Sequence, residues 1–371
     1  MDFQLTEEQA LLRDTTRELL SRTYDTEGRN TVIDTDPGWS REVWTRLAEV
    51  GILGLGFDPD EAGPLEIAAV MTEVGRRLAP EPILHAALAP GGLIAALGND
   101  AQRELLAEVA AGRHLLALAH LEPGHRHPAP DITTQAVRQG DSWTVSGRKN
   151  PVLAGDQAQT LVVSAALPQG GTGLFLVDAE SVERAPYRTF DGQRGAQIDL
   201  DRTPAEPLGD REDVTDSSDA VGNTLTGIQS ALCAEALGAM EEALRLTTDY
   251  LKTRKQFGVT LNTFQALTQR AADMYVSLEL ARSMSLYAAV SIADGNHDPV
   301  IAARAKLQIG RSGQHIAQEA IQLHGGIGMT AEYPVGHYAA RLTAIDLTLG
   351  SAQDQLRVLV DRVGDHDLAA L

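Results

Sequence analysis

A helical block, then a block of short strands, then a second and longer helical block is the arrangement the sequence predicts: an α+β chain of several domains. Three observations carry this expectation. Apolar residues recur at helical spacing up to about residue 114, short β-prone runs bounded by Gly, Pro and Asp occupy 115–208, and long helical periodicity returns over 215–371. The expected domains are therefore 1–114, 115–208 and 215–371. Strands and helices do not alternate, so a parallel sheet of Rossmann type is disfavoured.

Thr6 and Gln9 have the spacing of a capping box ahead of Leu11, Leu12, Leu19 and Leu20, which opens the first helix. Further helices are expected over Ser40 to Val50, stopped by Gly51, over Leu65 to Leu78, ending before Pro80, and over Ala101 to Ala111, ending at Gly112. The strand-like runs are Leu115 to Ala119, Ile132 to Val137, Trp143 to Ser146, Leu161 to Ala165 and Gly173 to Val177. Alternation just after Gly140-Asp141 marks Trp143 to Ser146 as a hairpin strand with one buried face. Beyond the turn-rich stretch Gly209 to Asp219, four or five long helices are expected, with breaks at Lys255 to Thr260, Asn296 to Pro299 and Gly325 to Gly328.

With 371 residues, 43% of them hydrophobic, the chain can bury a large core. Its 51 acidic against 31 basic residues give a formal charge of -20, which opposes the phosphate attraction that nucleic-acid binding needs. The single cysteine, Cys233, cannot form an intrachain disulfide, and the N-terminus lacks a basic region followed by an apolar stretch, so a cytoplasmic protein is expected. The apolar run Ala86 to Leu97 is interrupted by Pro90, Gly91 and Gly92 and is shorter than the roughly 18 residues of a spanning helix. Membrane insertion is not expected.

Two C-terminal segments stand out. In RKQFG, Arg254 to Gly258, the arginine offers a fork of donors suited to a phosphate and Phe257 offers an apolar face to a ring, with Phe264-Gln265 following at the next helix start. Arg254 and Lys255 would also complement the C-terminal end of the helix before them. In QLHGGIG, Gln322 to Gly328, the glycines suit a helix C-cap and equally a close backbone approach to a cofactor. His125 and His127, in a Pro-rich loop without an acidic or cysteine cluster, are not expected to bind a metal.

Together these segments resemble the acyl-CoA dehydrogenase family. Further matches are the opening helix Met1 to Arg22, TEVGRRLAPEP (Thr72 to Pro82), LEPG (Leu121 to Gly124) and GRK (Gly147 to Lys149). The resemblance implies a helical N-terminal domain, a β domain and a C-terminal four-helix bundle, assembled as a tetramer with FAD at a subunit interface. It also implies that Arg254, Gln256, Phe257, Gln265, Gln322, Gly325 and Gly326 contact a flavin nucleotide held mainly by the neighbouring chain. The same chain's own flavin side departs from the family: bulky His125 to Pro130 follows LEPG, and Pro151 and Leu153 stand where an aromatic residue and a threonine face the ring.

The family's reaction removes an α-proton with a carboxylate while hydride leaves the β-carbon of an acyl-CoA, giving a trans-2-enoyl-CoA. Alignment from Gly325 onward puts Leu349 on the usual glutamate, and the alternative position near the start of the long helix before RKQFG is Ile228. Neither side chain accepts a proton. Glu235, two helical turns beyond Ile228, remains a candidate base, or else an acid that interacts with the helix dipole or is paired at an interface, while Glu241 and Glu242 are expected on a solvated face. The chain is thus similar to a subunit of the heteromeric α2β2 actinobacterial enzymes, some of which take steroid-type acyl-CoA thioesters. That resemblance implies a homologous partner supplying the glutamate and an electron-transfer flavoprotein as acceptor. The alternatives are a self-sufficient homotetramer using Glu235, and a structural or regulatory chain that binds no FAD.

Overall fold

The computed structural model describes residues 5–125, 132–210 and 214–365. The helices of the first third are α1 (Glu7–Thr23), α2 (Thr26–Ile33), α3 (Arg41–Glu49), α4 (Pro64–Arg77), α5 (Ala89–Leu97), α6 (Asp100–Arg103) and α7 (Leu105–Ala110). Strands β1 (Leu116–Ala119), β2 (Gln135–Gln139), β3 (Ser142–Leu153), β4 (Thr160–Ala166), β5 (Thr172–Asp178), β6 (Glu183–Arg188) and β7 (Arg194–Pro207) follow. Then come α8 (Ser218–Thr253), the two-residue strands β8 (Lys255–Gln256) and β9 (Val259–Thr260), α9 (Gln265–Ala293), α10 (Pro299–His324), α11 (Val335–Leu347) and α12 (Ala352–Asp361). The expected helical, β, helical order is what the chain adopts.

Two compact units divide the chain, with dividing points inside α2, α4 and α8 and another just after α4: residues 1–27, 68–79 and 229–371 form one, and 28–67 and 80–228 the other. The second unit contains the sheet. Strand β5 pairs with both β4 and β7, so β4, β2, β3, β7 and β5 close into a ring, with β1 beside β4 and β6 beside β7. Closure leaves the five ring strands paired on both sides, whereas β1 and β6 each pair with a single strand. Inward residues of alternating strands, among them Val145, Leu161, Val163, Phe175, Val177 and Ile198, form its core, with Trp143 tilted against Phe175 at 5.5 Å.

The sequence reading placed five strands and omitted β6 and β7. Their charged, proline-containing segments lack a clean alternation, and β7 is held by pairing with β3, β5 and β6 rather than by its own pattern. Ala101 to Ala111 is also two short helices rather than one, because Asn99 caps α6 with a capping box and the chain turns at Glu104. Helix α2 was likewise not foreseen.

In the first unit, α10 packs against α9, α11 and α12, and α8 touches α9, α10 and α11 through Glu241, Tyr250 and Glu235. The segment of α4 belonging to this unit crosses α8 with backbone against backbone. A Cβ on Gly75 would lie 1.8 Å from the Glu235 carbonyl oxygen, and one on Gly238 equally close to that of Thr72. Glycine on both helices therefore sets their spacing. Around the crossing, fully buried Glu73 accepts from Arg17 Nη2 at 2.7 Å and from Arg76 Nε at 3.0 Å, and Arg76 also pairs with Glu241. The TEVGRR segment is thus a packing device. Among the described residues no helix is long and apolar enough to cross a membrane.

Because backbone cannot move aside as a side-chain tip does, Gly75→Ala is expected to lower stability by about 2–3 kcal/mol. Denaturant midpoints at unchanged slope are the measurement, and a shift below about 0.5 kcal/mol would show that the crossing yields.

Candidate active site

The segment Arg254 to Gly258 forms a tight hairpin in which Lys255 pairs with Thr260 and Gln256 with Val259. Its two-residue loop puts Phe257 at φ 53° and Gly258 at φ 82°, the mirror-image turn that suits strand twist. Glycine adopts this freely, whereas a phenylalanine is strained there. The strained residue is also 90% exposed, with Phe264 meeting it edge-on at 6.1 Å. Among the described residues nothing pairs with the exposed Arg254 guanidinium or with the exposed side chains of Gln265 and Gln322. Gln256 donates only to the Lys255 carbonyl.

Helix α10 ends in the second segment. Gly325 takes φ 67° with ψ -143°, a combination that glycine alone adopts readily, and Gly326 is exposed with nothing within 4 Å of where a Cβ would stand. Among the described residues no contact accounts for a glycine at 326, whereas an external group packed on the backbone would. His324 turns the other way: it is buried, donates from Nδ1 to the Ala320 carbonyl and meets the Tyr333 hydroxyl at Nε2, 3.2 Å away. Sequence reasoning gave His324 no role. Its signal was its place between α10 and the glycine pair.

At the position expected for a base, Leu349 is 5% exposed and lies at φ 58°, followed by Gly350 at φ 97°. This turn is held on every side. Gln355 Nε2 donates to the Leu349 carbonyl at 2.9 Å, and the fully buried Lys306 ammonium donates to the carbonyls of Ile345, Asp346 and Gly350. Burial lowers the Lys306 pKa, and those carbonyls are its compensation. Ile228, on α8, is likewise 5% exposed. Glu235 accepts Arg341 Nε at 2.6 Å and Arg341 Nη2 at 2.8 Å in a buried bidentate pair. Both its oxygens are engaged.

The expected solvated face at Glu241 and Glu242 is corrected by the structure. Glu242 is 5% exposed and chelated by Arg245, and Glu241 joins Arg76 to Arg282. Glu242 pairs one helical turn along its own helix, a spacing the sequence does display, whereas the arginines of Glu241 lie on α4 and α9 and are distant in the sequence.

In the sheet unit, LEPG and GRK meet through a buried polar cluster. Lys149 Nζ, fully buried, donates to Glu122 Oε1 at 2.8 Å, to the His120 carbonyl at 3.1 Å and to Ser164 Oγ at 3.2 Å. Glu122 also accepts the backbone and hydroxyl donors of Thr133 and Thr134. Burial would raise its pKa, but these donors outweigh that and hold it below the usual carboxylate range. Burial brings Lys149 down to about 8 and His120 down to about 4. The strand beyond Lys149 bulges, with Asn150 and Pro151 opposing Gln197 alone, and Asn150 N–H donates to the Leu121 carbonyl. Pro151 has no N–H and Leu153 no polar side-chain atom. His125 is exposed, whereas His127 and the rest of its loop up to Asp131 lie outside the described residues.

Residues 6–113 match the acyl-CoA dehydrogenase N-terminal domain and residues 219–364 the acyl-CoA dehydrogenase C-terminal domain. The acyl-CoA dehydrogenase IpdE2 of Mycobacterium tuberculosis is 31% identical, over 96% of this chain and 98% of its own. Among solved structures, the Tcur3481-Tcur3483 steroid ACAD aligns with TM-score 0.87 at 32% identity, over 97% of this chain and 98% of that one. The ChsE4-ChsE5 complex from Mycobacterium tuberculosis aligns with TM-score 0.88 at 26% identity, over 99% and 100%. This chain belongs to the acyl-CoA dehydrogenase family.

Acyl-CoA dehydrogenases are FAD-dependent oxidoreductases. The fit of this chain to FAD is divided. Arg254 and Gly326 present exposed unpaired donors and an open glycine backbone that suit a nucleotide, whereas the side chains of Pro151 and Leu153 offer no hydrogen-bond donor.

Removing one partner of a buried ion pair strands the other, so Glu235→Gln is expected to cost about 3–5 kcal/mol of stability by urea denaturation. A loss under about 1 kcal/mol would show that Glu235 is not committed to Arg341. For His120, the unfolded value near 6.5 lies above the folded value of about 4, so between them the unfolded chain binds the extra proton. Stability is expected to fall as pH drops through that window, by at most about 3 kcal/mol. His120→Asn should flatten this part of the pH profile, and an unchanged profile would remove the assignment.

Proposed function

We propose that this chain is one subunit of a heteromeric acyl-CoA dehydrogenase, lending its hairpin and glycine turn to FAD held mainly by a homologous partner that carries the catalytic glutamate. The observation that carries the reading is the contrast between two sets of residues. Arg254, Gln265, Gln322 and Gly326 are exposed and uncommitted, whereas Leu349 and Ile228 are buried and apolar and Glu235 is locked to Arg341. That pairing also weighs against a self-sufficient enzyme with Glu235 as base. Exposed Tyr275, Val276, Leu280 and Tyr287 run along α9 at helical spacing, an apolar stripe suited to a partner subunit.

FAD, when bound, accepts hydride from the β-carbon of the acyl-CoA thioester. In this reading Arg254 neutralises phosphate charge, Phe257 packs on an apolar face, Gln256, Gln265 and Gln322 supply amide donors, and Gly325 and Gly326 let the backbone approach. Leu349 supplies no base, so the α-proton leaves to a carboxylate of the partner. The segments 1–114, 115–208 and 215–371 are taken as the three domains of the subunit. A steroid-type acyl group is favoured by the similarity to the Tcur3481-Tcur3483 steroid ACAD, and a heteromer by the similarity to that protein and to the ChsE4-ChsE5 complex. An electron-transfer flavoprotein is the acceptor proposed, and the lone buried cysteine is in keeping with the cytoplasm.

The test is to purify the chain alone and together with a homologous chain that keeps the glutamate, then to measure bound FAD and turnover with an artificial acceptor. The mixture is expected to be yellow and active and the single chain colourless. Yellow, active protein from this chain alone would overturn the proposal. In the active mixture, Arg254→Ala should lower FAD affinity about tenfold, the loss of roughly one charge-assisted contact.

A further inference from the structure

We infer that His324 and Tyr333 are positioning residues for the glycine turn, closing the base of the loop from 325 to 332 so that the Gly325-Gly326 backbone and Gln322 are presented in a fixed geometry. The inference rests on the proposed FAD contacts. His324 is the last residue of α10 and Tyr333 stands two residues before α11, so the bond between imidazole Nε2 and the Tyr333 hydroxyl joins the two ends of the loop. The Ala320 carbonyl can only accept, which keeps the proton of a neutral imidazole on Nδ1 and leaves Nε2 to accept from the hydroxyl. Burial disfavours the charged imidazole, against the pull of the Ala320 and Leu246 carbonyls.

Tyr250 of α8 fixes the pair from a third direction, its ring 4.5 Å from His324 and 6.3 Å from Tyr333. His324 and Tyr333 are themselves 4.9 Å apart, so the three rings form one cluster beneath the turn. Above it, Gly326 meets nothing within 4 Å, Ile327 is 43% exposed and Met329 75%. A loop with an exposed tip is thus held at its base by the His324 to Tyr333 hydrogen bond and three ring contacts, with His337 Nε2 donating to the Ala331 carbonyl beside them. Holding donors in place before a ligand arrives reduces the ordering cost of binding.

Deflavinated heteromer is titrated with FAD, following flavin fluorescence, for the unmodified protein and for Arg254→Ala, Tyr333→Phe, His324→Leu and His324→Gln. Tyr333→Phe, which removes one oxygen atom, and His324→Leu are each expected to raise the FAD dissociation constant about tenfold, equivalent to about 1.4 kcal/mol. His324→Gln, whose amide can still accept from Tyr333, should recover to within about threefold. If Arg254→Ala weakens FAD binding while Tyr333→Phe does not, or if Tyr333→Phe lowers only the melting temperature, the positioning role is overturned and the FAD contacts stand. If Arg254→Ala itself leaves the dissociation constant unchanged, the FAD reading fails and this inference fails with it. Should His324→Leu not fold, Tyr333→Phe and His324→Gln decide the matter.

Discussion

Helix α8 and the adjoining part of α4 approach until backbone meets backbone, and this crossing governs what the helical unit can do. Gly75 and Gly238 permit it, and at that distance the acids and arginines around it are forced into partnership. Glu73 is taken by Arg17 and Arg76, Glu241 by Arg76 and Arg282, and Glu235 by Arg341. Desolvating so many charges is tolerated only where every one is paired, because a lone buried charge costs more than the pair returns. The acids of this part of α8 are thereby spent on structure. An α-helix rich in glutamate, which in isolation suggests a proton acceptor, contributes none that is free.

The turn at Leu349 makes the same point from the other side. A leucine at φ 58° is strained, and such strain persists only where the surroundings over-determine the backbone. Here they do: Gln355 and Lys306 take its carbonyls, Asp346 Oδ1 accepts from Ala352 N–H, and Ser351 with Asp354 caps α12. The turn to which the proposed reading assigns the base thus carries a buried apolar side chain. A rigid seat with nothing to accept a proton is hard to reconcile with self-sufficient catalysis and agrees with a division of labour between chains.

Helical periodicity and caps made most of the long helices readable, since Thr6 with Gln9 and Ser40 act as the sequence suggests. What escaped were elements held by others. Strand β7 exists because β3, β5 and β6 bind it, and the Lys149 to Glu122 pair joins two segments 27 residues apart whose only sign was a charged residue inside each short motif. The Arg254 and Gln322 segments were legible as candidates because their residue types suit a ligand, which is the role proposed for them. The structure leaves those side chains exposed and unpaired among the described residues.

His324 shows where that rule stops. It lies inside the most legible motif, yet its side chain points into the protein and its partners, Ala320, Tyr250 and Tyr333, come from three separate segments. A residue that touches ligand is recognised by its chemistry, whereas a residue that holds the ligand's contacts in place is recognised only by what it bonds to in three dimensions. In the proposed reading the two kinds are adjacent in QLHGG, and they face opposite ways because α10 ends between them: His324 keeps the last buried helical position, and Gly325, at φ 67°, turns the chain outward. The division between lending a surface and bracing it is therefore set by one helix terminus.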